Sequence, residues 1–170
     1  MSITRIPHTV EPYRLAAAAE YLEGNVSLEK MPRLLEAVGE QQGECAVRLQ
    51  FGVDEQAQRY IEGGLKAQVM MECQRCLQQL PVDISADFLL GLLAGDSQAA
   101  HLPKRYDPVV VENDQLDLWS IIEEELLLDL PQVAYHQEGE CPVSKEQLQS
   151  GDEIETHNPF SVLNALKSKN

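Results

Sequence analysis

The sequence predicts an α+β fold, one antiparallel β-meander flanked by short helices. Two observations predict it. Apolar and polar residues alternate through three stretches in the middle of the chain, while apolar residues at helical spacing lie before and after them. A length of 170 residues suits one domain and is thin for two. A single domain over residues 1–170 is therefore expected, with 140–158 an acidic, flexible loop. The pattern leaves open whether the sheet closes into a barrel.

The first expected element is a short helix over 11–22, with Leu15, Ala18, Ala19 and Leu22 on one side and Gly24 ending it. Leu28, Met31, Leu34, Leu35 and Val38 predict a second helix. Ser27 is its candidate N-cap, unless the helix begins only at Pro32, and Gly39 follows its last periodic residue. From Cys45 to Val53 the period changes to two: Cys45, Val47, Leu49, Phe51 and Val53 alternate with residues that include Arg48 and Gln50, as in a half-buried strand. Asp54-Glu55 breaks it. Leu65, Ala67, Val69, Met71 and Cys73 form the next strand, and Gly63-Gly64 before it marks a bulge or a close backbone approach. Val82, Ile84, Ala86, Phe88 and Leu90 form a third. Short connections make these three a meander.

Residues 95–105 read as a loop, and Val109-Val110-Val111 as a short strand closed by Asn113-Asp114. Asp117 caps a helix that runs to about Leu128 and is stopped by Pro131. Residues 132–157 are polar and acidic, with a turn of helix near 145–149. Asn158-Pro159-Phe160 starts a last helix, carried by Phe160, Leu163 and Leu166.

Charge bounds the function. Thirteen Lys and Arg against 28 Asp and Glu give a net charge of −15, which disfavours nucleic-acid binding through a general basic surface. The charge is uneven: residues 1–80 carry 8 basic and 11 acidic residues, residues 81–170 carry 5 and 17. A basic protein would meet the second half, and a polyanion would find the first half less hostile. The longest apolar run is Phe88–Ala94, broken by Gly91 and far short of a membrane span. Met1-Ser2-Ile3-Thr4-Arg5 leads into no apolar stretch, so a cytoplasmic protein without a secretory signal is expected.

Chemistry concentrates in a few places. Cys73-Gln74-Arg75-Cys76 falls between two expected strands, where a zinc knuckle places its first ligand pair, and His136 and Cys141 offer two further ligands. Free thiols in a reducing compartment are the alternative. Redox chemistry lacks the βαβ setting that a Cys-x-x-Cys motif uses for it. Cys45 reads as a small buried hydrophobe, and Trp119 as core. Glu123-Glu124-Glu125 lies on the acidic helix. Glu125 and Asp129 fall inside the arc of Leu118, Ile121, Ile122, Leu126 and Leu128, where they either meet a basic partner or stay wet. Lys104-Arg105-Tyr106 is a small basic and aromatic cluster. No phosphate loop, triad or metalloprotease spacing occurs around His8, His101, His136 or His157.

Several stretches together carry a family likeness. They are Met71-Glu72-Cys73-Gln74-Arg75-Cys76-Leu77, Leu102-Pro103 with Tyr106-Asp107-Pro108, and Asp117-Leu118 with Ile122 to Leu128 and Leu130-Pro131. His136, Cys141 and Asn158-Pro159-Phe160-Ser161-Val162-Leu163 with Leu166-Lys167 follow in order. The chain resembles the YceD family, the large ribosomal RNA subunit accumulation proteins. That resemblance implies a cytoplasmic, non-catalytic factor supporting the synthesis, processing or stability of large-subunit (23S) ribosomal RNA. Some relatives carry Cys-Pro-x-Cys after the acidic helix. Here the segment reads Cys141-Pro142-Val143-Ser144, which leaves His136 as the substitute ligand if zinc is bound.

The expected mechanism is an acidic surface that engages a basic ribosomal or assembly protein through Glu123, Glu124 and Glu125, with Asn158, Pro159 and Phe160 as a docking peptide. The alternatives are a direct RNA-binding module using Arg75, Lys104, Arg105 and Tyr106, and a zinc- or thiol-dependent enzyme. Cys73, Cys76, His136 and Cys141 are the candidate metal ligands, with zinc the candidate cofactor.

Overall fold

The computed structural model describes residues 5–137, 139–144 and 147. The chain divides into two units, 1–136 and 137–170. The second contributes few described residues, among them a turn in which Glu140 N–H donates to the Gln137 carbonyl at 3.1 Å.

The first unit is built on a five-stranded sheet whose neighbouring strands, in order, are Tyr21–Ser27, Glu44–Val53, Arg59–Glu72, Gln79–Leu93 and Asp107–Val110. Strands β2 (Tyr21–Ser27), β3 (Glu44–Val53), β4 (Arg59–Glu72) and β5 (Gln79–Leu93) are joined antiparallel. The α+β expectation and the central meander therefore hold. Strand β6 (Asp107–Val110) adds parallel to β5, after a crossover that contains a 3₁₀ segment at Asp96–His101. The sheet stays open, with β2 and β6 at its edges. A small second sheet pairs β1 (Thr9–Val10) with β7 (Leu116–Asp117).

Alternation explains which face is buried. Cys45, Val47, Leu49 and Phe51 of β3 point into the core with Ile61, Leu65, Ala67 and Val69 of β4 and Ile84, Ala86, Phe88 and Leu90 of β5. Cys45 is buried as expected, and burial pushes its thiol up to about 11. Gly63 is a close approach rather than a bulge. The Phe88 ring of the facing strand occupies the space a Cβ would take, and the register runs through Gly63↔Phe88 without interruption.

The expected helix over 11–22 is a correction. Helix α1 covers only Pro12–Ala17, and Tyr21–Ser27 is the edge strand β2. Leu22, Gly24 and Val26 share one side of that strand, opposite Leu49, Val47 and Cys45. Because the middle residue has no side chain, the period of two is invisible in the sequence. Helix α2 (Pro32–Val38) begins at the proline, after a 3₁₀ turn at Leu28–Lys30, and Ser27 supplies no side-chain cap.

Helix α3 (Leu118–Leu128) starts where Asp117 predicts. Its Oδ1 accepts from the N–H groups of Trp119 and Ser120 at 3.0 and 3.1 Å. Asp117→Ala is expected to lower stability by about 1 kcal/mol, read by urea unfolding with an unchanged slope. Leu118, Ile122 and Leu126 are buried, spaced by four. Leu128, placed by the sequence in the buried arc, is 73% exposed, and the buried carboxylate is Glu123, not Glu125. No helix among the described residues is long and apolar enough to cross a membrane.

Candidate functional site

Cys73 closes β4 and Cys76 lies in the hairpin before β5. The Leu77 N–H donates to the Cys73 carbonyl at 2.9 Å, and Cys73 N–H donates to the Gln78 carbonyl at 2.9 Å, so the turn is tight. Leu77 adopts φ +60°, a left-handed conformation unusual for a branched residue, and its side chain is exposed. The chain returns to this turn much later. Cys73 bridges Ala134 in parallel, and Gln74 N–H donates to the Ala134 carbonyl at 2.9 Å. That bridge delivers His136, whose Nδ1 lies 3.4 Å from the Cys76 sulfur.

The potential ligand atoms of Cys73, Cys76 and His136 all lie within 4.8 Å of one another. Two thiols and an imidazole are the donor set of a structural zinc site, and sulfurs on a tetrahedral zinc sit roughly 3.8 Å apart. The local backbone is built for thiolate. Burial pushes the Cys73 thiol up, but N–H groups of Cys76, His136 and Arg75, with the His136 side chain, hold it down at about 5. The guanidinium of Arg75 packs over the Tyr135 ring, 5.4 Å from its centroid. Cys141 is a half-buried free cysteine of the second unit.

The acidic helix sorts its three glutamates into different jobs. Glu123 is 5% exposed, and its Oε1 accepts from Arg33 N–H at 2.6 Å and Leu34 N–H at 3.0 Å. It caps α2 from another element, with both N–H groups on one carboxylate oxygen. Glu124 is exposed and faces Arg33 at 3.6 Å. Glu125 is half-buried, and its carboxyl is pushed up by burial and then by Asp107, Glu124 and Asp129. It lines a cavity of about 780 Å³ together with the acidic Asp87, Asp107 and Glu62 and the basic Arg48 and Arg105. Arg48 there is already paired with Asp87.

The residues of the alternative RNA set fall at two places in the fold. Tyr106 is 5% exposed and donates its hydroxyl to Asp54 Oδ2 at 2.8 Å, so its ring is not available for stacking on a base. Arg105 pairs with the same carboxylate and lies over the Tyr106 ring. These contacts hold the Asp54 carboxyl at about 2, the Tyr106 hydroxyl first, with burial opposing and the Gln58 and Gln56 N–H groups and Arg105 assisting. The anchor is therefore complete above the ordinary carboxylate range and is lost as pH falls toward 2. Lys104 is exposed beside them. Arg75 sits at the other end of the β4–β5 hairpin, about 40 Å along the strand from Gly91, beside which Tyr106 packs. Asn158, Pro159 and Phe160 lie outside the described residues, as does most of the expected turn of helix near 145–149.

A family described as "Large ribosomal RNA subunit accumulation protein YceD" matches residues 61–167, from the second meander strand through the cysteine hairpin and the acidic helix. The chain belongs to the YceD family. A relative carrying the same name, from Haemophilus influenzae (strain ATCC 51907 / DSM 11121 / KW20 / Rd), is 32% identical over 174 residues, covering 99% of this chain and 100% of its own. No solved structure matches the chain. The YceD match therefore spans both the hairpin that gathers Cys73, Cys76 and His136 and the helix that carries Glu123–Glu125.

Proposed function

We propose that this chain is a cytoplasmic, non-catalytic factor supporting the accumulation of large-subunit (23S) ribosomal RNA, and that it works by docking a basic ribosomal or assembly protein on the outer side of α3. The name of the family and of the Haemophilus relative supports the biological role. The surplus of carboxylates around Glu125 carries the mechanism. Asp107, Glu124 and Asp129 each repel Glu125, and Arg33 pairs with Glu124 alone. A Lys- or Arg-rich partner would relieve that repulsion. With Glu123 committed to capping α2, Glu124 and Glu125 are the contact residues, and Asn158-Pro159-Phe160 is kept as an adjoining docking peptide.

In the same reading, Cys73, Cys76, His136 and Cys141 hold a structural zinc ion that fixes the hairpin tip. Cys141 follows His136 by five residues, a span that reaches at most about 17 Å, which suits it as the fourth ligand. The thiol-enzyme alternative is the weaker one, since Cys73 is buried and so poorly placed to attack a substrate.

The test is affinity purification of tagged full-length chain from growing cells at two salt concentrations, with nuclease treatment. One or a few basic ribosomal or assembly proteins are expected to remain after nuclease and to be depleted at high salt. The double variant Glu124→Lys, Glu125→Lys should lose them while retaining the native melting curve. An unchanged set of recovered proteins in that variant would overturn the acidic-surface reading.

A further inference from the structure

A second cavity has a different chemistry from the rest of this acidic chain. It encloses about 470 Å³ between the segment before β1, the edge strand β2 and the start of α3, and is lined by Arg5, Asn25, Ser27, Lys30, Glu44 and Trp119. Elsewhere, Arg14, Arg33, Arg48 and Arg105 are each paired with a carboxylate. Among the described residues Arg5 and Lys30 have no such ion pair, as is also true of Arg59, Lys66, Arg75 and Lys104, but only Arg5 and Lys30 share one cavity. The one carboxylate of the cavity, Glu44, accepts a 2.7 Å hydrogen bond from the Asn25 amide. The cavity therefore presents two cations without a carboxylate partner among the described residues, where the chain as a whole carries −15.

Its wall is aromatic. The Trp119 indole N–H donates to the Ile6 carbonyl at 3.2 Å, which fixes the ring. The His8 ring stacks on it with centroids 5.1 Å apart, and the Lys30 ammonium lies 5.6 Å from the ring centroid. Lys30 is exposed and its stem is flexible, so a cation–π contact is all that holds it there. Base stacking on an indole is the stronger interaction. An incoming base can take the place of the ammonium, which then swings onto a phosphate beside Arg5. Strand β2 is an edge, so half of its backbone N–H and C=O groups face outward and add donors at Asn25–Ser27.

We propose that the cavity of Arg5, Lys30 and Trp119 binds one nucleotide unit, its phosphate on the two cations and its base against the indole. The source is either a single-stranded RNA or a free ribonucleotide. The inference is independent of the acidic-surface reading, because it uses none of the same residues. It also fits the net charge: two cations serve a single unit, whereas a duplex would bring many phosphates against an acidic surface.

The sequence contains one tryptophan, so its emission reports on this cavity alone. Full-length chain is titrated with UMP, with ribose 5-phosphate and with an oligouridylate hexamer. Saturable quenching by UMP and by the hexamer is expected, with tighter binding of the hexamer if RNA is the ligand and equal binding per site if free nucleotide is. Arg5→Ala and Lys30→Ala should each weaken it about tenfold or more. For the hexamer, the logarithm of the binding constant should fall with the logarithm of salt with a slope of about −0.7, as one neutralised phosphate on a single strand requires. No quenching at millimolar ligand, quenching indifferent to both substitutions, or equal affinity for ribose 5-phosphate and UMP would each overturn the proposal. The Arg5→Ala, Lys30→Ala pair should leave the recovered basic proteins unchanged, so the two readings fail separately.

Discussion

Glu123→Ala is expected to destabilise the first unit by about 2–4 kcal/mol, the largest effect of any acidic side chain described here. The reason is an accounting of N–H groups at the start of α2. Met31 N–H donates to the Leu28 carbonyl, Pro32 has no N–H, and Leu35 N–H donates to the Met31 carbonyl. That leaves Arg33 and Leu34, and both donate to one oxygen of Glu123. Met31, in the N-cap position, has no side chain able to replace it. Alanine would strand two N–H groups in a buried place, beside Leu34 and Ile122, neither of which is accessible. It would also remove a negative charge from the positive end of the helix. For a chain of this size the melting temperature should fall by roughly 5–15 °C, with a smaller drop for Glu123→Gln, which keeps an acceptor. Equal stability of the alanine variant and the parent, by calorimetry and urea unfolding, would show that solvent reaches those N–H groups and that the cap is dispensable.

The same glutamate shows where sequence reading stops. Three acidic residues in a row on an amphipathic helix look alike, and each step between neighbours is a rotation of α3 by about 100°. The arc drawn through Leu128 turned the helix too far, because a large apolar residue at a helix end can remain in water at modest cost. Strand alternation was easier to read. Cys45–Phe51, Leu65–Cys73 and Val82–Leu90 show their period because every inward position there carries a side chain, whereas the start of β4 is hidden by the inward Gly63. Strand β2 was lost because Gly24 occupies one of its inward positions. The parallel pairing of β6 with β5 depends on a crossover whose path four residues of Val-rich sequence do not encode. At the candidate site, Cys73 and Cys76 were legible from spacing, and His136 from position in the chain. Their meeting depends on the Cys73↔Ala134 bridge, a contact across sixty residues with no local signature. Lys104-Arg105-Tyr106 shows no sequence sign of its anchor, because a basic and aromatic cluster looks the same whether it faces solvent or is pinned to Asp54. Trp119 reads from the sequence as core, and Arg5 and Lys30 carry no local signal, since only the fold brings residues from three separate segments to one cavity.

Cys73→Ser is expected to abolish metal retention. The argument begins with charge. Three backbone N–H groups and an imidazole already favour the thiolate form of Cys73, yet hydrogen bonds delocalise a charge without cancelling it. Arg75, the cation nearest in sequence, is turned to Tyr135. A second thiol, Cys76, lies in the same turn, and its sulfur faces His136 Nδ1. A divalent cation bonded to both sulfurs would neutralise the thiolates and satisfy the imidazole at once. Full-length chain purified from reducing cytoplasm should then carry about one equivalent of zinc. Cys73→Ser and Cys76→Ser should lose it, because serine stays protonated and is a poor zinc ligand. Cys141→Ser should weaken retention if that residue closes the set, and His136→Ala should do the same. Removing the ion with a chelator should leave the meander folded, since its core lies in β3, β4 and β5, and should speed amide exchange chiefly at Cys73–Gln78 and Ala134–His136. A parent protein without zinc after purification under reducing conditions, or a Cys73→Ser variant with undiminished zinc, would show that the cluster is held by hydrogen bonds alone. Because metal binding and hairpin order are linked, exchange at the tip distinguishes a structural ion from an adventitious one: only the structural ion makes the tip harder to open.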